Sequence, residues 1–248
     1  MEVLGLNAHL ENQLYRYRDL SGQLVFGETA KQAVVIEIMD DIFNEDVMSE
    51  LMITELKKGL HREHATNFIE WSESETGIAA LNAMNRYHTE FQQEDSEESL
   101  ENYIDEISRD ADRMENKMNF AGGLIRKFDL IRMNTLIMED FIITFMWGVN
   151  HLLPEDEKVD DQQMNDLGMT FRNQFQNIYT EMLPPLIMYS FRHLDEEKLE
   201  SFTEFLNSPT GRWYIRTYRR VIIDSGGEAT RAFARSLAGY DLDQLTEE

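Results

Sequence analysis

Cysteine is absent from this chain of 248 residues. That excludes disulfides, thiolate catalysis and Cys-ligated metals, and leaves the compartment open. Proline is scarce, at four residues, which favours long helices over many short strands. Basic residues are in deficit, with 23 Lys and Arg against 47 Asp and Glu, for a formal net charge of −24. Phosphate contacts need a basic surface, so general binding to nucleic acid or to anionic membranes is not expected. Long hydrophobic runs are missing too. The most apolar stretch, residues 134–153, carries Glu139 and Asp140 near its middle, so no membrane span is expected. Met1 and Glu2 open directly on an amphipathic pattern without a recognisable signal peptide.

What is present is helical. Apolar residues make up 42% and charged residues 28%, the balance of a folded globular chain. The 14 methionines suit core filling, since Met is a good helix former that adapts to irregular gaps. A short helical pattern covers residues 10–17. Val34, Ile36 and Ile38 alternate like a strand, but no neighbouring segment offers a partner, so a helix is expected there. Asn44 caps a helix closed by Lys57, Lys58 and Gly59, a second helix runs to about Glu73, and Ser74 restarts the next. Asp95 and Ser96 open a long acidic stretch that turns apolar after Gly122 and Gly123, where a break or bend is expected. Residues 154–161 form an acidic loop and the best internal boundary. It divides residues 1–153, an N-terminal helical half, from residues 154–248, a C-terminal half packed with it as one unit. A helix should then end or kink at Pro184 and Pro185, with a short helix reaching Arg192. Asp195 caps another to Asn207. The last starts at Ser208 and should break or kink at Gly226 and Gly227.

Residues 67–77 lie over residues 201–211 without a gap. Phe68, Glu70, Ser74, Thr76 and Gly77 are identical to Phe202, Glu204, Ser208, Thr210 and Gly211, and Trp71 matches Phe205 as an aromatic. Both segments read as helix, turn, helix, with Ser74 and Ser208 as N-caps and Pro209 at the first helical position. Gly77 and Gly211 are poor helix residues in a first turn, so close approach of another helix should require them. Phe205 is expected to pack against Trp213 in the following helix. Two copies are too few for a solenoid and point to pseudo-duplicated hairpins.

The pattern F-x-x-S-P-x-G, from Phe205 to Gly211 after the acid-capped helix opened by Asp195, resembles the bacterial domain-of-unknown-function 2059 family. The likeness covers residues 171–221, with a degenerate echo at 51–87. It implies an all-helical fold in a protein that is exported, hence a periplasmic setting, with a cytoplasmic one as the alternative. It brings no catalytic residues.

Chemistry is hard to find. Of six histidines only His61 and His64 are close, as H-R-E-H, which is neither the zincin H-E-x-x-H nor the E-x-x-H of di-iron bundles. Phosphate-loop, nucleophile-elbow and EF-hand patterns are absent, so no catalytic residue, metal or cofactor is expected. One local feature departs from the global charge. Arg212, Arg216, Arg219 and Arg220 share one helical face with Trp213, Tyr214 and Tyr218 between them, and Arg231 and Arg235 follow. Arg212, Trp213, Arg216, Arg219 and Arg220 are the candidate face for an anion or an acidic partner, while pairing with the chain's own surplus acids is the favoured reading of these arginines.

The expected fold is therefore an all-α, multi-helix array of about eight to ten helices, pseudo-duplicated around the hairpins of Trp71, Ser74 and Gly77 and of Phe205, Ser208, Pro209 and Gly211. The expected function is a non-catalytic binding or accessory protein whose partner is a protein, a peptide or a small molecule. A hydrolase-like enzyme with a dispersed site at His61, His64 or His193 and a structural homodimer are the alternatives.

Overall fold

Helix caps and buried stripes account for most of the element boundaries. The computed structural model describes Leu6, His9, Leu10, Leu14, residues 30–89, 96–152, 156 and 158–239. The helical pattern expected over residues 10–17 and the start of the acidic loop after residue 153 fall mostly outside these. Among the described residues there are ten helices and no strand.

Helix α1 (Ala30–Ile42) buries Val35, Ile38, Met39 and Ile42, the stripe of a helix, which resolves the strand-like alternation. The Asn44 side chain accepts from the Val47 amide at 3.0 Å to start α2 (Glu45–Lys58). Then come α3 (Arg62–Ser72) and α4 (Glu75–Thr89), α5 (Ser96–Ile107) and α6 (Ala111–Phe128). The expected break at Gly122 and Gly123 does not occur. Helix α6 runs through both glycines, held by the buried stripe of Lys117, Ala121, Leu124, Ile125 and Phe128. The chain turns instead at Asp129, which is left-handed with φ of 52°. Helix α7 (Leu130–Leu152) follows.

At the two further places where a break or kink is expected, the chain does not break. Helix α8 (Asp161–Ser190) passes through Pro184 and Pro185 without ending. Thr180 and Glu181, whose carbonyls those prolines leave without an amide donor, are exposed residues that water can reach. After α9 (Glu196–Asn207), helix α10 (Pro209–Ala238) passes through Gly226 and Gly227, where buried Ile222, Ser225, Ala229 and Phe233 hold it against its neighbours.

Helix α10 is the hub, packed against α1, α2, α3, α6, α7 and α9, while α8 packs against α4, α5, α6 and α7. One hydrophobic core cluster extends from Leu6 to Leu237. Of the methionines, Met39, Met48, Met52, Met84, Met133, Met138, Met164 and Met188 are core residues. Glu139 is tolerated as a buried residue of the largely apolar α7 because Arg172 of α8 donates to both its oxygens, at 2.8 and 2.6 Å. Among the described residues no helix is long and apolar enough to cross a membrane.

The two S-x-T-G hairpins meet face to face. Helix α4 lies against α9, and α10 lies against α3. At the crossing Trp71 and Phe205 stack with centroids 3.7 Å apart and planes 4° from parallel. Phe68 meets Phe205 at 6.0 Å and Trp71 meets Phe202 at 5.8 Å. Ser74 and Ser208 each accept from the glycine amide three residues on, both at 3.0 Å. Arg86 reaches the Ser190 carbonyl at the end of α8, and Arg220 reaches the Glu55 carbonyl in the last turn of α2.

Two expectations change here. The close approach at Gly77 and Gly211 comes from the preceding helix of the same hairpin rather than from another helix. A Cβ on Gly77 would lie 2.0 Å from the Trp71 carbonyl oxygen, and one on Gly211 would lie 2.0 Å from that of Phe205. Phe205 stacks across the hairpin crossing on Trp71, whereas Trp213 packs against Phe68 and His64.

Candidate functional site

Helix α10 starts cleanly, with Ser208 as N-cap and Pro209 in its first turn. Its arginines diverge. The Arg212 guanidinium donates to the Asn207 carbonyl, at the end of α9. Arg216 is exposed, with no hydrogen bond or ion pair among the described residues. Arg219 pairs with Asp129 at 2.8 Å, at the turn between α6 and α7. Arg220 lies against Gly59, where a Cβ would fall 1.9 Å from its Nη2, and donates to the Glu55 carbonyl. Trp213 Nε1 donates to the Gly59 carbonyl at 3.2 Å. Arg220 and Trp213 thus cover the C-terminal carbonyls of α2, and the five residues expected to form one face serve several separate contacts.

The histidines are equally dispersed. His61 is exposed, its ring 4.9 Å from that of His64, and His64 faces the Thr210 hydroxyl at 3.4 Å. Among the described residues no group of three His, Asp or Glu side chains could hold a metal ion.

A different part of the fold gathers polar groups. Where α8 ends and α9 begins, the turn faces α6 across a cleft of about 370 Å³. Arg113, Asn116 and Lys117 line it from α6, Arg192, His193 and Leu194 from the turn, and Asp195, Glu196 and Leu199 from α9. Its volume is in the range of small-molecule sites, about 300–1,000 Å³.

Lys117 is the centre of this cleft. It is 5% exposed, and its Nζ donates to the Phe191 carbonyl at 2.9 Å and the Leu194 carbonyl at 2.7 Å. The Phe191 carbonyl also accepts from the Leu194 amide at 3.1 Å, so Lys117 ties together both ends of that turn, and an ammonium just beyond the end of α8 suits the helix dipole. Burial, and then repulsion from Arg113, lower the lysine to a pKa of about 8, against the pull of Asp195 and Glu196. The acids are themselves engaged. Asp195 caps α9 by accepting from the Lys198 amide at 2.9 Å, and Glu196 accepts from Asn116 at 2.7 Å. Arg192 lies 3.8 Å from the centroid of the Tyr189 ring and donates to the Tyr189 carbonyl. Behind Tyr189, buried Tyr103 makes an edge contact at 5.6 Å, and burial raises its hydroxyl pKa against the opposing effect of Arg113 and Arg192.

The depressed lysine has a measurable consequence. The unfolded chain holds this proton up to about pH 10.5, whereas the folded chain releases it near pH 8. Between those values the unfolded state binds more protons, so stability contributed by this site rises with pH. Urea midpoints should increase from pH 8 to pH 10 in the parent relative to Lys117→Met. Parallel pH profiles for the two proteins would contradict it.

Sequence reading passed over Lys117, although a signal existed. It stands four, seven, eight and eleven residues before Ala121, Leu124, Ile125 and Phe128, on the buried stripe of α6. A second cleft, of about 260 Å³, lies between the ends of α7 and α10 and is mostly apolar, with Trp147, Ala234 and Leu237 among its walls.

Fold and cleft together define the class only as an all-α protein with a polar corner pocket. No family model, no curated protein and no solved structure matches the chain.

Proposed function

We propose that this chain is a non-catalytic helical binding or accessory protein that takes a small ligand in the Lys117 cleft. The observation that carries the reading is the convergence of Arg113, Asn116, Lys117, Arg192 and His193 on one open cavity. Polar groups converging on an accessible space, here around the buried Lys117, give a ligand orientation and specificity. Rigid backing helps: α6 and α8 pack directly on one another behind the cleft.

The likeness of residues 171–221 to exported helical proteins is the ground for setting this activity in the bacterial cell envelope. Descent of the two hairpins from one ancestral unit draws support from their crossed contacts, in which Phe68 meets Phe205 and Phe202 meets Trp71. Such reciprocal pairing is the pattern of a two-fold interface, here within one chain.

Native mass spectrometry of the chain purified from its own host tests the reading. The expected result is a single bound molecule per chain that is lost from Lys117→Met and from Arg192→Gln. A ligand retained by both variants, or a bare chain that binds nothing from a host metabolite extract, would refute it.

A further inference from the structure

Resting on the reading of the Lys117 cleft as a ligand site, we infer that its ligand is a small organic oxyanion, held through a carboxylate or phosphate group. The chain as a whole repels such a ligand, with a formal charge of −24. The cleft inverts that balance. Three cationic side chains line it, Arg113, Lys117 and Arg192, against two acids, Asp195 and Glu196, and Arg113 also pairs with Glu106 at 3.3 Å. Both acids already accept hydrogen bonds from the protein, Asp195 from the Lys198 amide and Glu196 from Asn116.

The buried ammonium is the most specific feature. It carries three N–H donors, and two of them reach the Phe191 and Leu194 carbonyls. The third has no partner among the described residues. Carbonyls satisfy hydrogen bonds but bring no counter-charge, so the positive charge stays uncompensated at close range. A buried charge is costly unless paired, and an oxyanion in the cleft would supply both the missing acceptor and the missing charge. Arg113 stands one turn before Lys117 on the same face of α6; its Nη1 donates to exposed Glu106 at 3.3 Å, and its remaining N–H groups can serve an oxyanion. Arg192 is fixed by the Tyr189 ring and carbonyl, which limits the entropy lost when it engages a ligand. A cation is disfavoured by the same three charges. The cavity, at about 370 Å³, exceeds what a bare inorganic ion requires, which points to an organic molecule bearing the anionic group.

Binding must then be linked to protonation. The charged and titratable groups that share the cleft with Lys117 are Arg113 on its own helix, Arg192 and His193 from the turn, and Asp195 and Glu196 from α9. An oxyanion favours the ammonium, so affinity should fall as pH rises through about 8.

Calorimetric titration of the full chain decides the matter, with succinate, citrate, inorganic phosphate and glycerol phosphate as probes. Sodium chloride at matched ionic strength and glycerol are controls. Saturable one-to-one binding of at least one oxyanion is expected, with none for the controls. The carboxylate and phosphate arms distinguish the two sources of the group. Affinity should drop at least tenfold in Lys117→Met and in Arg192→Gln, and should be unchanged in Arg231→Gln, whose guanidinium pairs with Glu228. Arg192→Gln leaves the Lys117 cap intact, so it remains informative if Lys117→Met folds poorly. Absence of saturable binding to every oxyanion, or equal affinity in Arg192→Gln, would overturn the inference. If the host-purified protein instead carries a neutral or cationic molecule that Arg192→Gln releases, the cleft reading stands and the oxyanion inference alone fails.

Discussion

Gly211→Ala and Gly77→Ala should each destabilise the protein by about 3 kcal/mol, lowering the thermal midpoint by roughly 6–12 °C for a chain of this size. Helix propensity alone gives the opposite sign, because Ala is favoured over Gly by about 1 kcal/mol inside a helix. Geometry decides which effect wins. The new methyl on Gly211 would lie 2.0 Å from the Phe205 carbonyl oxygen and 2.6 Å from Leu206 Cα. That on Gly77 would lie 2.0 Å from the Trp71 oxygen and 2.9 Å from Ser72 Cα. All four obstacles are backbone atoms at the end of a packed helix, so none can rotate aside. Gly123 supplies the control. It is also helical, and a Cβ there meets nothing within 4 Å. Gly123→Ala should therefore stabilise, by about 0.5–1 kcal/mol. Differential scanning calorimetry on the three variants reads both signs in one experiment. Stabilisation by all three would show that the hairpins do not approach as closely as described.

Phe202→Ala and Phe68→Ala should each cost about 3–5 kcal/mol in urea unfolding, the range for a fully buried aromatic ring. Phe202 is 0% exposed and contacts the rings of Trp71, Phe120 and Phe191. Phe68 is 1% exposed, stacks on Tyr214 at 4.7 Å and touches Trp71 and Phe205. Both rings border Trp71, so the double variant should depart from additivity by about 0.5–3 kcal/mol. Additive losses would mean that the two hairpins are energetically independent. Calorimetry of the double variant, showing one transition or two, checks the same point by another route.

How much of this was legible in the chain depends on the kind of signal. Caps are local, and Asn44, Ser74, Asp195 and Ser208 were readable because a short side-chain oxygen just before a helical pattern can accept from the free amide three residues on. All-α architecture was readable because apolar spacing repeats along the chain. Where a break or a kink was expected from propensity, packing keeps the helix unbroken. Gly122–Gly123, Pro184–Pro185 and Gly226–Gly227 all lie inside continuous helices, since burial along one face outweighs a local penalty of about 1 kcal/mol per glycine and about 3 kcal/mol per proline. Conversely, the true turn at Asp129 carries no glycine or proline to announce it. The arginines of α10 share a helical face in sequence, but their long side chains travel to Asn207, Asp129 and Glu55, which belong to different segments. The Lys117 cleft was illegible as a whole, because α6 and the turn at Arg192 meet only through tertiary packing.

The Trp71–Phe205 stack has a bearing on motion as well as on architecture. One ring belongs to the end of α3 and the other to the end of α9, and neither hairpin can swing open without uncovering the rings of both. Local opening of one is thus an opening of the pair. Amide hydrogen exchange should consequently report a single cooperative unit spanning α3, α4, α9 and the first turns of α10, although these segments are separated by more than a hundred residues of chain. A molecule seated beside Asp195, at the entrance to α9, would damp that opening and so slow exchange as far away as Phe68.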